Sequence, residues 1–226
     1  MNILVAGSSG YIGSAVAARL AKRGRVVGLD LAPGSQTTRI GDIGDATLVR
    51  GLLRGMHAVV HTAALHVPQL GSVGPEEFHR VNVDATRGLL EAALRARVAR
   101  FVLLSTTSVY GCSSRAGPPA TWVDESLPPK PEDVYDRTKL VAEGLCRDAA
   151  GDGLGTVILR LGRCVPEPAP LVAFYRMYRG VDRRDVAEAH VRAVTAPLTG
   201  SLTVNIAGAS PFLPEDVRAL WDDPGR

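Results

Sequence analysis

The sequence is poor in cysteine, in lysine and in long apolar runs, and each shortage removes a class of protein. Its three cysteines, Cys112, Cys146 and Cys164, are odd in number, widely spaced, and accompanied by neither a CxxC pair nor histidines at ligand spacing. That pattern argues against a disulfide framework or a metal site and leaves reduced thiols as the expectation. No stretch approaches the ~20 apolar residues of a membrane span, so no membrane association is expected. Met1-Asn2-Ile3-Leu4-Val5 opens without a basic leader or a small-residue cleavage site, which points to a cytoplasmic protein. The formal net charge is only +3, and the arginines are scattered instead of forming a block or an aromatic-interleaved stripe. Nucleic acid is therefore not expected as a partner.

What is present is a rhythm. Apolar runs that read as strands (2–6, 25–30, 58–62, 100–105, 155–160) alternate with longer helical patterns (11–23, 46–53, 76–97, 134–149). Such alternation predicts βαβ units and a parallel sheet. Phe101-Val102-Leu103-Leu104 is apolar without a gap, as expected of a strand covered by helices on both faces. The 226 residues fit one domain, 1–226, folded as a Rossmann-type, doubly wound α/β sandwich of three layers. Two stretches break the rhythm and read as substrate-side loops: 112–130, with Gly117-Pro118-Pro119 and Pro128-Pro129, and 164–182, with Pro166-Glu167-Pro168-Ala169-Pro170.

Gly7-Ser8-Ser9-Gly10-Tyr11-Ile12-Gly13 stands between a predicted strand and a predicted helix. In that setting the first glycine allows the sharp turn, the second lets backbone N–H groups approach a pyrophosphate, and the third lets helix and sheet pack closely. The spacing is GxxGxxG, and a tight turn alone would also use these glycines. Asp30 ends the next strand about 20 residues on, where a carboxylate can take the adenosine ribose diol and repel a 2′-phosphate. This favours NAD, with NADP the lesser alternative given Arg39 nearby. Asp42 and Ile43, after the third strand, are placed to flank the adenine or to form a bare turn.

Tyr135 and Lys139 stand at i and i+4, on one face of a helix. A free phenol has a pKa of about 10, and a neighbouring ammonium together with a nicotinamide cation favours the phenolate. Tyr135 can then exchange a proton with a substrate alcohol while hydride moves. Lys22, Lys130 and Lys139 are the only lysines in a chain that otherwise uses arginine, and a compact ammonium that bonds a ribose hydroxyl is not replaceable by a guanidinium.

Taken together, Gly7–Gly13, Asp30, His61-Thr62-Ala63-Ala64, Asn82-Val83-Asp84, Ser105-Thr106-Thr107-Ser108-Val109-Tyr110-Gly111 and Tyr135–Lys139 resemble the extended short-chain dehydrogenases/reductases, the NAD-dependent epimerase/dehydratase family. Asp185-Val186-Ala187 and Asn205-Ile206-Ala207-Gly208 look like that family's later landmarks. The resemblance implies a catalytic trio of Thr106, Tyr135 and Lys139, with Ser105 and Thr107 as alternatives for the hydroxyl that polarises the substrate oxygen. It implies cofactor contacts from Tyr11 and Ile12 at the pyrophosphate, Ala63 and Ala64 along the adenosine half, Lys139 on the nicotinamide ribose, and Cys164 beside the nicotinamide. It also implies a homodimer built on the helices at 76–97 and 134–149.

The chain departs from nucleotide-sugar-modifying members in having Arg183-Arg184-Asp185-Val186 follow Cys164 after a short interval, so most of their nucleotide-gripping lobe is missing. The run from Arg160 to Pro168 is similar to compact uronate dehydrogenases, which implies a small sugar, uronate or polyol as substrate. His66, Thr107 and Arg163 are the candidate substrate contacts, with Arg176 and Arg179 as alternatives to Arg163 for clamping a carboxylate. Two other functions stay open: epimerisation or dehydration of a nucleotide-sugar with tightly held, recycled NAD, and a non-catalytic NAD-binding regulator.

Overall fold

A computed structural model describes residues 1–115, 122–151, 153–176 and 179–208. Seven strands form one sheet: β1 (Asn2–Ala6), β2 (Arg25–Asp30), β3 (Arg39–Ile40), β4 (Ala58–His61), β5 (Arg100–Thr106), β6 (Gly155–Leu161) and β7 (Ser201–Ile206). Their order is β3-β2-β1-β4-β5-β6-β7, and every pairing is parallel. This is the predicted doubly wound, Rossmann-type sheet. The chain moves outward from β1 to β3, then crosses back to lay β4 on the other side of β1. The crevice outside the carboxyl ends of β1 and β4 is therefore the topological switch point, where such sheets bind ligands.

Alternation within each strand builds two cores. Leu4, Ala6, Val59, Phe101 and Leu103 face one side, packed with Val49, Leu89, Leu90, Ala93 and Ala142 from α2 (Ala46–Leu52), α4 (Ala85–Arg95) and α5 (Val134–Ala149). Ile3, Val5, Val60, Val102 and Val157 face the other, against Val16, Ala17, Leu20, Ala187 and Val191 from α1 (Tyr11–Leu20) and α7 (Arg183–Thr195). Helices on both faces explain why the strands read as continuous apolar runs.

Helix starts are marked by aspartate. Asp45 accepts from the N–H groups of Thr47 (2.9 Å) and Leu48 (3.1 Å), Asp133 from that of Asp136 (2.8 Å) and Asp182 from that of Arg184 (2.8 Å). Each satisfies amides that a helix cannot satisfy itself. α1 is the contrast, since its cap is Gly10, which has no side chain to offer.

Three segments depart from the sequence pattern. The helix expected over 76–97 is broken into α3 (Pro75–His79), a wide π-turn at Arg80–Asp84 and α4. The π-turn contains Asn82, whose amide is drawn out to Leu65 and Thr138. The interval 164–182, expected as a loop, contains α6 (Ala169–Arg176), because Pro168 accepts from the N–H of Leu171 and starts a helix where its own ring does no harm. The strand β5 gives way at once to 3-10 turns over Thr107–Arg115, and residues 116–121 of the expected loop 112–130 lie outside the described residues.

Beneath α5 lies a buried ion pair. Glu143 is fully buried, and Arg160 on β6 is 5% exposed. Arg160 reaches both Glu143 oxygens, Nε to Oε1 at 3.0 Å and Nη2 to Oε2 at 2.7 Å, while Ser105 on β5 donates to Oε1 at 2.6 Å. Removing one partner of such a pair strands a buried charge. Glu143→Ala should therefore lower stability by about 3–5 kcal/mol in equilibrium urea unfolding; a loss under about 1 kcal/mol would show that the pair is solvated.

Candidate active site

The glycine turn is built for close approach. Gly7 has φ +90°, and a Cβ there would come within 2.5 Å of the Ala63 nitrogen and 2.6 Å of Thr62 Oγ1. A Cβ on Gly13 would overlap the carbonyl oxygen of Gly7, so the first turn of α1 lies directly on the end of β1. At Gly10 the fold itself has room for a Cβ, which would meet only the Gly7 carbonyl oxygen at 3.4 Å. Gly10 gives the first amides of α1 no side-chain cap, and the helix dipole there favours negative charge.

Asp30 lies beside this turn. One carboxylate oxygen accepts from the Ser9 N–H at 2.9 Å and the other from the Ala32 N–H at 3.0 Å. The carboxylate is thus oriented at the lip of the switch-point crevice, and each oxygen keeps a lone pair for a diol. Arg39 donates to the Thr38 carbonyl at 2.9 Å. Ala63 and Ala64 follow β4 and are half-buried, with Ala63 N–H bonded to the Ala6 carbonyl at 3.0 Å. Asp42 accepts from Gly44 N–H at 2.7 Å and from Arg80 at 3.1 Å, while the Ile43 side chain is directed into the core.

Thr106 ends β5, and Tyr135 and Lys139 occupy the first turns of α5, which packs on β5 and β6. The Thr106 hydroxyl adjoins the Tyr135 phenol and, when it is the donor of the bond between them, favours the ionised form. Burial outweighs this, and the Asp136 and Asp133 carboxylates add to it, so within the chain the phenol is pushed up to about 12. Lys139 is 3% exposed, and burial brings its ammonium down to about 8. The acidifying influence expected at Tyr135 therefore has to exceed a desolvation cost that the sequence did not reveal.

The other expected contacts are spread around this centre. Thr107 donates to the Leu161 carbonyl at 3.2 Å, tying β5 to β6. His66 opens a 3-10 turn, where its N–H donates to Gln69 at 3.0 Å. Arg163 spends its fork on Glu167 and stacks on the Tyr175 ring at 4.1 Å, and Arg176 pairs with Asp182 at 2.9 Å. Burial holds the Cys164 thiol up at about 11, and both described cysteines, Cys146 and Cys164, are free thiols. Among the described residues no cluster of His, Cys, Asp and Glu could hold a metal ion, and no helix is long and apolar enough to cross a membrane.

Two residues quoted above only as parts of family motifs hold the surroundings of Tyr135 in place. Asn82, in the π-turn, donates to the Leu65 carbonyl (2.9 Å) and Thr138 Oγ1 (3.0 Å) and accepts from Leu65 N–H (2.9 Å), locking α5 to the segment after β4. π-turns concentrate at functional sites, but no residue pattern announces one. Ser108 donates to the buried Asp136 carboxylate, one residue beyond Tyr135. Below the site, His61 bonds Thr86 Oγ1 through Nε2 at 2.9 Å, and burial keeps its imidazole neutral, with a pKa near 3.

A family profile described as "NAD dependent epimerase/dehydratase family" matches residues 3–166. The chain belongs to that family. Among curated relatives, the UDP-glucose 4-epimerase of Azospirillum brasilense is 36% identical over 170 residues, which is 70% of this chain and 47% of that protein. A 3 beta-hydroxysteroid dehydrogenase/Delta 5-->4-isomerase of Mycobacterium tuberculosis is 34% identical over 173 residues, 70% of this chain and 45% of that one. The solved structure of MoeE5 in complex with UDP-glucose and NAD superimposes with a TM-score of 0.77 at 29% identity, covering 92% of this chain and 76% of its own. The chain thus spans about half the length of the curated relatives it matches. The bond from Ser9 N–H to the Asp30 carboxylate joins the glycine turn and Asp30 into one polar cradle. Asp30→Asn should weaken NAD binding by about tenfold to a hundredfold in calorimetry, the usual scale for a lost charge-assisted hydrogen bond, and narrow the preference over NADP. Unchanged affinity for both would remove Asp30 from the cradle.

Proposed function

We propose that this family member transfers hydride between NAD and an alcohol carbon of a small sugar, uronate or polyol, with Tyr135 as general acid/base. The observation that carries the reading is that Thr106, at the carboxyl end of β5, adjoins Tyr135 on α5, with Lys139 one helical turn further on and a glycine turn after β1.

The residues fit a dinucleotide. Gly7, Gly10 and Gly13 with the amides of Tyr11 and Ile12 hold the pyrophosphate, and Asp30 takes the adenosine ribose. Asp42, the backbone of Ile43, Ala63 and Ala64 border the adenosine half, Lys139 bonds the other ribose, and Cys164 adjoins the nicotinamide. Bound NAD supplies the hydride acceptor or donor. Tyr135 takes the substrate hydroxyl proton at its phenolic oxygen in the oxidising direction and returns it in the reducing one. Thr106 bonds the same oxygen, and Lys139 keeps a positive charge one helical turn away that favours the phenolate. Among the described residues the interval between β6 and α7 holds loop and α6, which supports a compact substrate, with His66, Thr107 and Arg163 on its rim.

A second reading, nucleotide-sugar epimerisation or dehydration with recycled NAD, draws support from the UDP-glucose 4-epimerase relatives and from a dTDP-glucose 4,6-dehydratase of Streptomyces niveus, 36% identical over 167 residues. A product of unchanged oxidation state would select it. Free thiols at Cys146 and Cys164 fit residence in the cytoplasm. The side-by-side packing of α4 and α5 supports a homodimer through these helices, for which light scattering should give twice the chain mass.

With NAD and a panel of sugar acids and polyols, reduced nicotinamide should accumulate. Tyr135→Phe should cut the rate by about 10²–10⁴-fold while leaving NAD affinity unchanged in calorimetry. Equal rates in wild type and variant would overturn the reading.

A further inference from the structure

Behind the reacting groups runs a chain of hydroxyls that ends on a carboxylate. Tyr135 adjoins Thr106, and Thr106 Oγ1 is 2.8 Å from Ser108 Oγ. Ser108 Oγ donates to Asp136 Oδ1. Asp136 is 4% exposed, and its other oxygen accepts from the Glu132 N–H at 3.4 Å.

Counting protons gives this chain a direction. Ser108 has one hydroxyl proton, and it is committed to the Asp136 carboxylate. In the contact with Ser108, Thr106 must therefore be the donor. Thr106 also accepts the Ser108 N–H at 3.1 Å, so toward Tyr135 it can only accept. While Asp136 is ionised, the chain stabilises the neutral phenol. A phenolate at Tyr135 needs Thr106 to turn its proton toward it, which needs Ser108 to donate to Thr106, which needs a proton on Asp136.

We propose that Ser108 and Asp136 form a proton relay that exchanges the Tyr135 proton with solvent through Thr106. The inference rests on the reading of Tyr135 as general acid/base and concerns the same site. In one direction the Tyr135 O–H bond breaks as a Thr106 O–H bond forms, the Thr106 proton passes to Ser108, and the Ser108 proton passes to Asp136. The Thr106 and Ser108 oxygens each give up one proton and gain one, Tyr135 loses one and ends as phenolate, Asp136 gains one and ends as carboxylic acid, and no electrons are transferred. Ser108 and Asp136 are positioning residues, since they reach the substrate only through Tyr135 and Thr106.

The surroundings suit the role. Burial raises the Asp136 pKa above the ordinary carboxylate range, with Asp133 and Glu132 adding to it against the bond from Ser108. Asp133 and Glu132 are the charged groups that face Asp136, and Asp133 and Asp136 those that face Tyr135. Glu132 is exposed, so a proton on Asp136 has a short way out at the start of α5. Net oxidation of an alcohol releases one proton per turnover, and such an exit disposes of it without using the substrate channel.

The deciding experiment follows the ionisation of Tyr135 in the full chain by carbon-13 NMR of labelled tyrosine, the signal being identified by its loss in Tyr135→Phe. Ser108→Ala retains the Asp136 charge but frees Thr106 to donate to the phenolate, so Tyr135 should titrate at least about one pH unit lower than in wild type. Ser108→Thr should restore the wild-type value. Asp136→Asn should also lower it, by removing both the charge and the proton acceptor. In turnover, Ser108→Ala and Asp136→Asn should lower kcat by about tenfold or more with KM unchanged, and imidazole buffer should restore part of it as a mobile proton carrier. A Tyr135 titration unmoved by Ser108→Ala overturns the relay, as does turnover in both variants at the wild-type rate and pH profile. Should either variant fail to bind NAD or to give a folded circular-dichroism spectrum, the other decides. Wild-type protein inert toward every substrate would count against the proposed reaction, and the substrate-free titration would still decide the relay.

Discussion

Glu143 is the point on which the rest of the site depends. Its carboxylate takes Ser105 from β5, both forks of Arg160 from β6, and Arg147 from its own helix at 3.3 Å. Arg160 continues the network, bonding the Tyr110 hydroxyl at 2.9 Å while lying over its ring, and Tyr110 donates to Asn205 on β7 at 2.9 Å. Two strands and a helix are thereby joined directly to a single ionised group, the turn after β5 is joined through Arg160, and β7 through Tyr110. Hydrophobic contacts alone would let α5 slide along the sheet at small cost, whereas a buried fork-to-carboxylate bond tolerates little misalignment. Lys139 lies one turn and Tyr135 two turns from Glu143 on the same helix. Their reach toward the switch-point crevice is set from below, and proton transfer is sensitive to displacements of that size.

Much of this was legible from residue patterns because it depends on local spacing. The strands of the sheet, the glycine turn at Gly7–Gly13, the aspartate ending β2 and the tyrosine–lysine pair are all short-range signals. They sufficed for the fold class, the family and the NAD dependence. What escaped depends on partners distant in sequence. Glu143 looks like any glutamate on an amphipathic helix until Arg160 and Ser105 are placed beneath it. Asn82 gave no warning of a π-turn, because its consequence needs Leu65 and Thr138. Asp136 reads as a first-turn acid favoured by the helix dipole, and only its neighbour Ser108 gives it another role. The proline-rich start of 164–182 concealed α6 for the converse reason, since prolines that forbid a helix interior are well suited to its first turn.

The electrostatics of the site divide between two levels. At the base, formal charges are paired or neutralised: Glu143 with Arg160, and a histidine at position 61 that burial keeps neutral. At the start of α5, Tyr135 and Lys139 are both displaced toward their uncharged forms by desolvation, the phenol upward and the ammonium downward. Opposite displacements of this kind bring a phenol and an amine to a state in which one added charge, such as a nicotinium ring, shifts both together.

The absence of a side-chain cap on α1 has a thermodynamic corollary. The other helices that start with aspartate contain their own anion, and their first turns are complete in the folded chain. On the function proposed above, a bound phosphate would supply that counter-charge to α1, and the dinucleotide would act as a piece of the secondary structure as well as a reactant. Part of its binding energy is then spent in finishing a helix, and resistance of the whole fold to heat should climb with the logarithm of dinucleotide concentration.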